Sequence, residues 1–245
     1  MNIVSADWSE RHKELSKIIK KEDCFSEAAD TILGLHGELH TSEVNGSKSK
    51  NAEINGSKSK NAVDLLFEDL QQNEISIMLT SKDETIAWAV WHIARIEDLT
   101  MNILVCNSSQ VFNDSWRQRL RVSITDTGNA MSDDEIMEFS KKIDANELIQ
   151  YRNAVGKRSR EILLHLHSSD MKRKVEPGSI ARILSEGGVT EQKDSIWLLD
   201  FWSKKDVAGI IMMPLTRHQT LHLNDCYRWK EKIRSKKAFS PYRTR

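Results

Sequence analysis

Eight histidines occur in this 245-residue chain, and three of them are placed where chemistry could follow. His92 lies in the segment Thr85 to Asp98 (TIAWAVWHIARIED), and His218 and His222 lie in Pro214 to Leu223 (PLTRHQTLHL). Four residues of helix amount to about one turn, so His218 and His222 share a face and both rings can reach one ion. His92, from a second helix, would complete a set of three imidazoles with coordination positions left open, the arrangement of a catalytic zinc-like site. Each ring interrupts an otherwise apolar face, where an unpartnered imidazole is costly. The same spacing and context also suit core histidines satisfied by carboxylates or carbonyls, and both readings stay open on the residues alone.

Other candidates surround this set. His36 and His40 repeat the four-residue spacing in an earlier helix, which can bring one of them to the same pocket as a fourth ligand or a proton carrier. Arg95 shares a helix face with His92 and can hold an anionic substrate or pair with a carboxylate. His40 and Arg95 are therefore the candidate catalytic residues, whereas Glu97 and Asp98 fall mostly on other sides of that helix and read as structural. Trp88, Trp91 and Trp229 read as core.

The elements that must position these residues are helices. Three prolines and ten glycines, with few alternating β-branched runs, predict an all-α fold. Helices are expected over 8–21, from a cap at Ser26 through His40, over 63–72, from Ser81 or Asp83 to about Cys106, from the capping-box signature Ser132 to Glu135 through about Ile143, and over 147–167. Another piece starts at Pro177 and ends at Gly187-Gly188. The last helix is expected from about Ser203 to about Lys232, kinked or broken at Pro214. Four long helices with polar connections imply a four-helix bundle with additional short helices, read as a single domain over 1–245. Within it, Glu43 to Ala52 (EVNGSKSKNA) is followed by a near copy, Glu53 to Ala62 (EINGSKSKNA). With one aliphatic residue per copy, the 43–62 segment reads as a duplicated polar loop insertion.

Lys+Arg and Asp+Glu are equal at 36 each, so net charge gives no general attraction to nucleic acid or anionic membranes. No apolar run approaches a membrane span, and no secretory signal opens the chain. A cytoplasmic protein is expected, with Cys24, Cys106 and Cys226 as reduced thiols. The basic tail over 236–245 continues a run of Lys and Arg from Arg228, but no reading helix or basic groove accompanies it, and nucleic-acid binding is not expected.

Two longer segments resemble a known group. Ser81 to Leu104 (SKDETIAWAVWHIARIEDLTMNIL) is similar to the second helix of the DinB/YfiT-like bundles, and Trp202 to Lys230 (WSKKDVAGIIMMPLTRHQTLHLNDCYRWK) resembles their last helix. Gly128 to Phe139 and Leu148 to Leu163 fit the third-helix region of a DinB-like subfamily. The resemblance covers roughly residues 25–235. It implies a divalent metal, nickel or zinc, held by His92, His218 and His222 at one end of the bundle. It also implies a homodimer and a small-molecule substrate, with S-transferases using low-molecular-weight thiols, isomerases and hydrolases among the relatives. Two functions are weighed from this: a metal-dependent transferase or hydrolase, and a non-catalytic metal- or ligand-binding bundle of a stress response.

Overall fold

The structure is a computed structural model that describes residues 6–45 and 60–238. Those residues form helices and turns without a strand; one isolated antiparallel bridge joins Lys174 and Asp206. The fold is all-α. Among the described residues, no helix is long and apolar enough to cross a membrane.

Helix α1 (Ala6–Ile18) packs on α2 (Phe25–Glu38), which begins at Phe25 with Cys24 before it, so Ser26 lies inside the first turn and is not its cap. A short α3 (Ala62–Phe67) follows the duplicated segment. The central element is α4 (Ile86–Asp98). Its cap is Thr85, whose hydroxyl accepts the Trp88 amide at 3.1 Å, not Ser81 or Asp83. Asp83 instead accepts from the Thr80 hydroxyl and the Trp229 indole.

All thirteen residues of α4 are buried, as is the π-helical segment Leu99–Val105 that extends it. The apolar stripe expected from the sequence is thus only one side of an enclosed rod, because α6, α7 and α11 pack on it. Glu97 and Asp98 are as buried as the leucines.

The stretch 108–128, where the apolar period lapses, contains a short helix, α5 (Asp114–Leu120), capped by the Asn113 side chain. The Ser132 capping box opens α6 (Asp133–Lys142): the Glu135 carboxylate accepts from the Ser132 amide at 2.8 Å. Asp144 caps α7 (Ala145–His165), and Pro177 opens α8 (Pro177–Ser185), which ends before Gly187 at φ 72°. Next, α9 (Lys193–Ser203) is a separate amphipathic helix beyond those expected from the sequence.

Asp206 caps α10 (Val207–Ile210) through the Gly209 amide at 2.9 Å. The chain then widens into a π-helical segment, Ile211–Arg217, around Pro214, and runs on as α11 (His218–Ala238). Neither break nor interruption occurs at the proline. The Thr216 hydroxyl returns to the carbonyls of Ile211 at 2.8 Å and Met212 at 3.0 Å, and the His12 ring reaches the Met212 carbonyl at 3.1 Å. A proline frees the carbonyl four residues before it, here that of Ile210; these side-chain bonds go to the two carbonyls that follow and support the widened turn. One hydrophobic core joins these elements, from Trp8 on α1 to Ile233 on α11.

The duplicated segment is less detached than its composition suggests. Val44 of the first copy is 3 % exposed, and Ala62, the last residue of the second, is buried at the start of α3. Asn61 precedes that helix, with its amide on Asp64 and its side chain on the Gly37 carbonyl at 3.0 Å. Residues 46–59 lie outside the described part, as does the tail beyond Ala238. Deleting Glu53 to Ala62 joins Asn51-Ala52 to Val63, which regenerates the residues that open α3. The expected outcome is a melting temperature within about 3 °C of wild type, since halving the loop changes its closure entropy by about 0.6 kcal/mol. Asn61→Ala in the full chain should cost about 1 kcal/mol in urea unfolding, because α3 loses its cap side chain and the Gly37 carbonyl loses one of its donors. A large loss on deletion would show that the inserted copy is packed structure.

Candidate metal centre

The site is built on the N-terminal half of α4 and the first turns of α11. Donor atoms of His92, His218 and His222 all lie within 4.8 Å of one another, and the three form a group that could hold a metal ion. His92 is 3 % exposed, while His218 and His222 are half-buried, so one side of the group faces outward.

His92 is the most constrained member. Its Nδ1 lies 2.8 Å from the Thr127 carbonyl, so that nitrogen carries the proton and Nε2 keeps its lone pair. That Nε2 sits 3.2 Å from Nε2 of His218. Nitrogens bound tetrahedrally to one zinc-like ion lie about 3.3 Å apart, so the spacing suits shared ligation. Two of the other ring nitrogens, Nδ1 of His218 and of His222, are buried without a hydrogen-bond partner. Trp88 stacks on His92, with ring centres 4.7 Å apart and planes 9° from parallel, and meets His222 edge-on.

The loop that orients His92 is itself held by α4. Four side chains of one α4 face donate to four consecutive carbonyls: Arg95 to Thr125 (2.9 Å), Trp91 to Asp126 (3.1 Å), His92 to Thr127 and Trp88 to Gly128 (3.1 Å). Gly128 has φ 77°, and a Cβ there would lie 2.7 Å from the Trp88 indole nitrogen. Only glycine allows the loop to come this close.

Burial keeps the three rings neutral. It pushes His92 well below the ordinary imidazole value, with His222 and His218 adding repulsion, and lowers His218 to about 3 and His222 to about 4. Neutral imidazole is the form that binds metal.

The other candidates lie elsewhere. His36 and His40 do not join this group; they meet Glu97 in a second, fully enclosed one. Arg95 is fully buried, and besides Thr125 it donates to Asp98 (3.1 Å), the Tyr151 hydroxyl (2.9 Å) and Gln110 (2.6 Å). Asp98 in turn accepts from Tyr151, Asn102 and the amides of Val111 and Phe112. A guanidinium so committed anchors two loops, and the anionic-substrate role expected for it finds no free donor face in this arrangement.

Glu84 is a residue that the sequence did not single out. It precedes the Thr85 cap, and burial together with the nearby carboxylates of Asp225, Asp83 and Asp133 raises its carboxyl above the usual range. Asp225 also bears electrostatically on His222. Glu84 precedes the cap and so has no place on the helical stripe of Trp88 and His92, and periodicity gives no signal for it. No family model and no characterised protein matches this sequence.

Two measurements check the electrostatics. Histidines depressed in the folded state and near 6.5 when unfolded stabilise the protein fully above pH 6.5, and that contribution is lost as pH falls toward 4 and then 3. Metal-stripped protein should therefore melt progressively lower from pH 7 to pH 4, and a flat profile would contradict the neutral, buried rings. Arg95→Ala should cost about 3 kcal/mol or more in chemical unfolding, because it leaves the Asp98 carboxylate enclosed without its cation. A near-neutral effect would return Arg95 to the candidate substrate anchors.

Proposed function

We propose that the protein is a divalent-metal-dependent enzyme of the DinB/YfiT-like kind, a transferase acting with a low-molecular-weight thiol or a hydrolase, with His92, His218 and His222 as the ligands. The observation that carries this reading is the His92 to His218 contact of 3.2 Å between two Nε2 atoms, with His92 oriented by a backbone carbonyl and two of the rings half-exposed. Core histidines satisfied by protein would face carboxylates or carbonyls with their second nitrogens; these face one another. Nickel or zinc suits three imidazoles.

When bound, such an ion supplies charge that lowers the proton affinity of a water or thiol in an open position. The chain's own part is positional. Thr127 holds the proton of His92 Nδ1 and so aims Nε2 inward, Trp88 restrains the ring plane, and the half-exposed sides of His218 and His222 leave the approach for a small substrate. The resemblance adds a homodimer to the proposal.

One observation favours a second reading. A surface cleft of about 230 Å³, lined by Arg121, Met131, Glu135 and Lys142 among others, lies beside α6, not over the histidines. A bundle that binds metal or ligand without turnover would need no substrate cleft at the ion.

The readings part on turnover. With zinc or nickel supplied, wild type is expected to transfer a thiol to an electrophile or to hydrolyse a test ester. His92→Ala and His222→Ala should abolish the reaction with helical content retained, and His218→Ala should lower metal content by one ion per chain. Metal uptake without turnover across a panel of thiols and electrophiles would leave the non-catalytic reading.

A further inference from the structure

His36 and His40 come from the last turn of α2 and the residues after it, and Glu97 from α4; all three side chains are fully buried. The carboxylate is bracketed by the rings. His36 Nε2 lies 2.8 Å from Oε1, in hydrogen-bond geometry, and His40 Nε2 lies 3.0 Å from Oε2. By strict geometry neither ring nitrogen of His40 has a hydrogen-bond partner, and its contact with Oε2 is a close charge contact with at most a bent hydrogen bond in it. A fully enclosed imidazole with both nitrogens unpaired is costly and calls for a partner.

Ligand geometry explains an approach that hydrogen bonding does not. Two donors about 2.1 Å from one ion at right angles are about 3.0 Å apart, and each lies about 45° from the other's lone-pair direction. The 3.0 Å between His40 Nε2 and Glu97 Oε2 matches that separation, and all three residues offer donor atoms within 4.8 Å of one another. The ring reaches its place by lying on the backbone of α7, where a Cβ on Gly156 would come within 2.5 Å of His40 Nδ1.

We propose that His36, His40 and Glu97 form a second metal site, for a transition-metal dication that ties α2 to α4. Two imidazole nitrogens and one carboxylate select zinc or a similar ion over magnesium or calcium, which prefer all-oxygen cages. Arg152 sharpens that selection. Its guanidinium stands 4.0 Å from Glu97 Oε2 and is bonded to the Leu39 carbonyl and to Gln219, which itself donates to Oε2 at 2.7 Å. It balances the carboxylate when no ion is bound, so only strong nitrogen donors can hold a further cation beside it. Enclosure makes the site structural, unlike the half-open group of His92, and it stands whether or not the chain is an enzyme.

Tag-free protein equilibrated with zinc chloride and freed of excess should carry two ions per chain by mass spectrometry of the metal. His218→Ala should retain one, and His40→Ala should retain the other and melt lower. In zinc-soaked crystals of the wild type, anomalous scattering should place a peak among His36, His40 and Glu97; this arm decides the matter if His40→Ala does not fold. One ion in wild type that His218→Ala removes, or a peak confined to His92, His218 and His222, overturns the second site and leaves the first. One ion that survives His218→Ala but is lost in His40→Ala does the reverse. No ion in wild type overturns both.

Discussion

Everything at the three-histidine group depends on how α4 holds the loop 125–128. Trp88, Trp91, His92 and Arg95 stand at helical steps of three, one and three, and each donates to a carbonyl of that loop. Carbonyls that would otherwise be buried unpaired are satisfied, and in return they set the rings of the donors. For His92 the consequence is chemical, because the bond to Thr127 decides which nitrogen keeps a lone pair. Arg95, which binds the first carbonyl of the loop, therefore acts on the site through the backbone, and Gly128 acts by having no side chain.

α4 and α11 are joined again further along. Gln219, next to His218, donates to Glu97, five residues after His92, and accepts from Arg152 of α7. Five residues of helix rise about 7.5 Å, so the open and the enclosed histidine groups lie in successive layers of the same helix pair. Glu97 carries the negative charge of the enclosed layer. Burial alone would raise its carboxyl, but the charge and the hydrogen bonds that His40 and His36 bring against it outweigh that and hold it well below the usual carboxylate range.

The fold class and most helices are legible in the sequence because helical periodicity and caps are local signals: the Ser132 to Glu135 box and Pro177 mark real helix starts. Spacing puts His218 and His222 on one face, and the grouping with His92 that the resemblance implies is the one the structure brings together. Spacing does not show which neighbour each face meets. His40 is expected beside the first group and lies in the second, because its facing residue, Glu97, stands on a side of α4 that the apolar stripe leaves out and that is nevertheless enclosed. At Pro214 the sequence marks a real irregularity, a widened π-helical turn, through which the helix continues without a break. α9 is hidden for a different reason: its exposed Trp197 and polar flanks blur the apolar stripe that buries Leu198 and Trp202.

The π-helical segments give the last link between sequence and site. Each adds a residue to a turn without ending the helix, and therefore rotates the downstream turns relative to the upstream ones. Leu99–Val105 comes after Asp98, and Ile211–Arg217 ends at His218, so the two widened turns flank the layers that carry the histidines. They also pack on each other. Without the extra residue near Pro214, a regular helix from Val207 would present His218 and His222 about 100° away from α4. The proline, by excluding regular hydrogen bonding at that turn, and Thr216, by satisfying the carbonyls of Ile211 and Met212, thus determine which face of α11 meets His92.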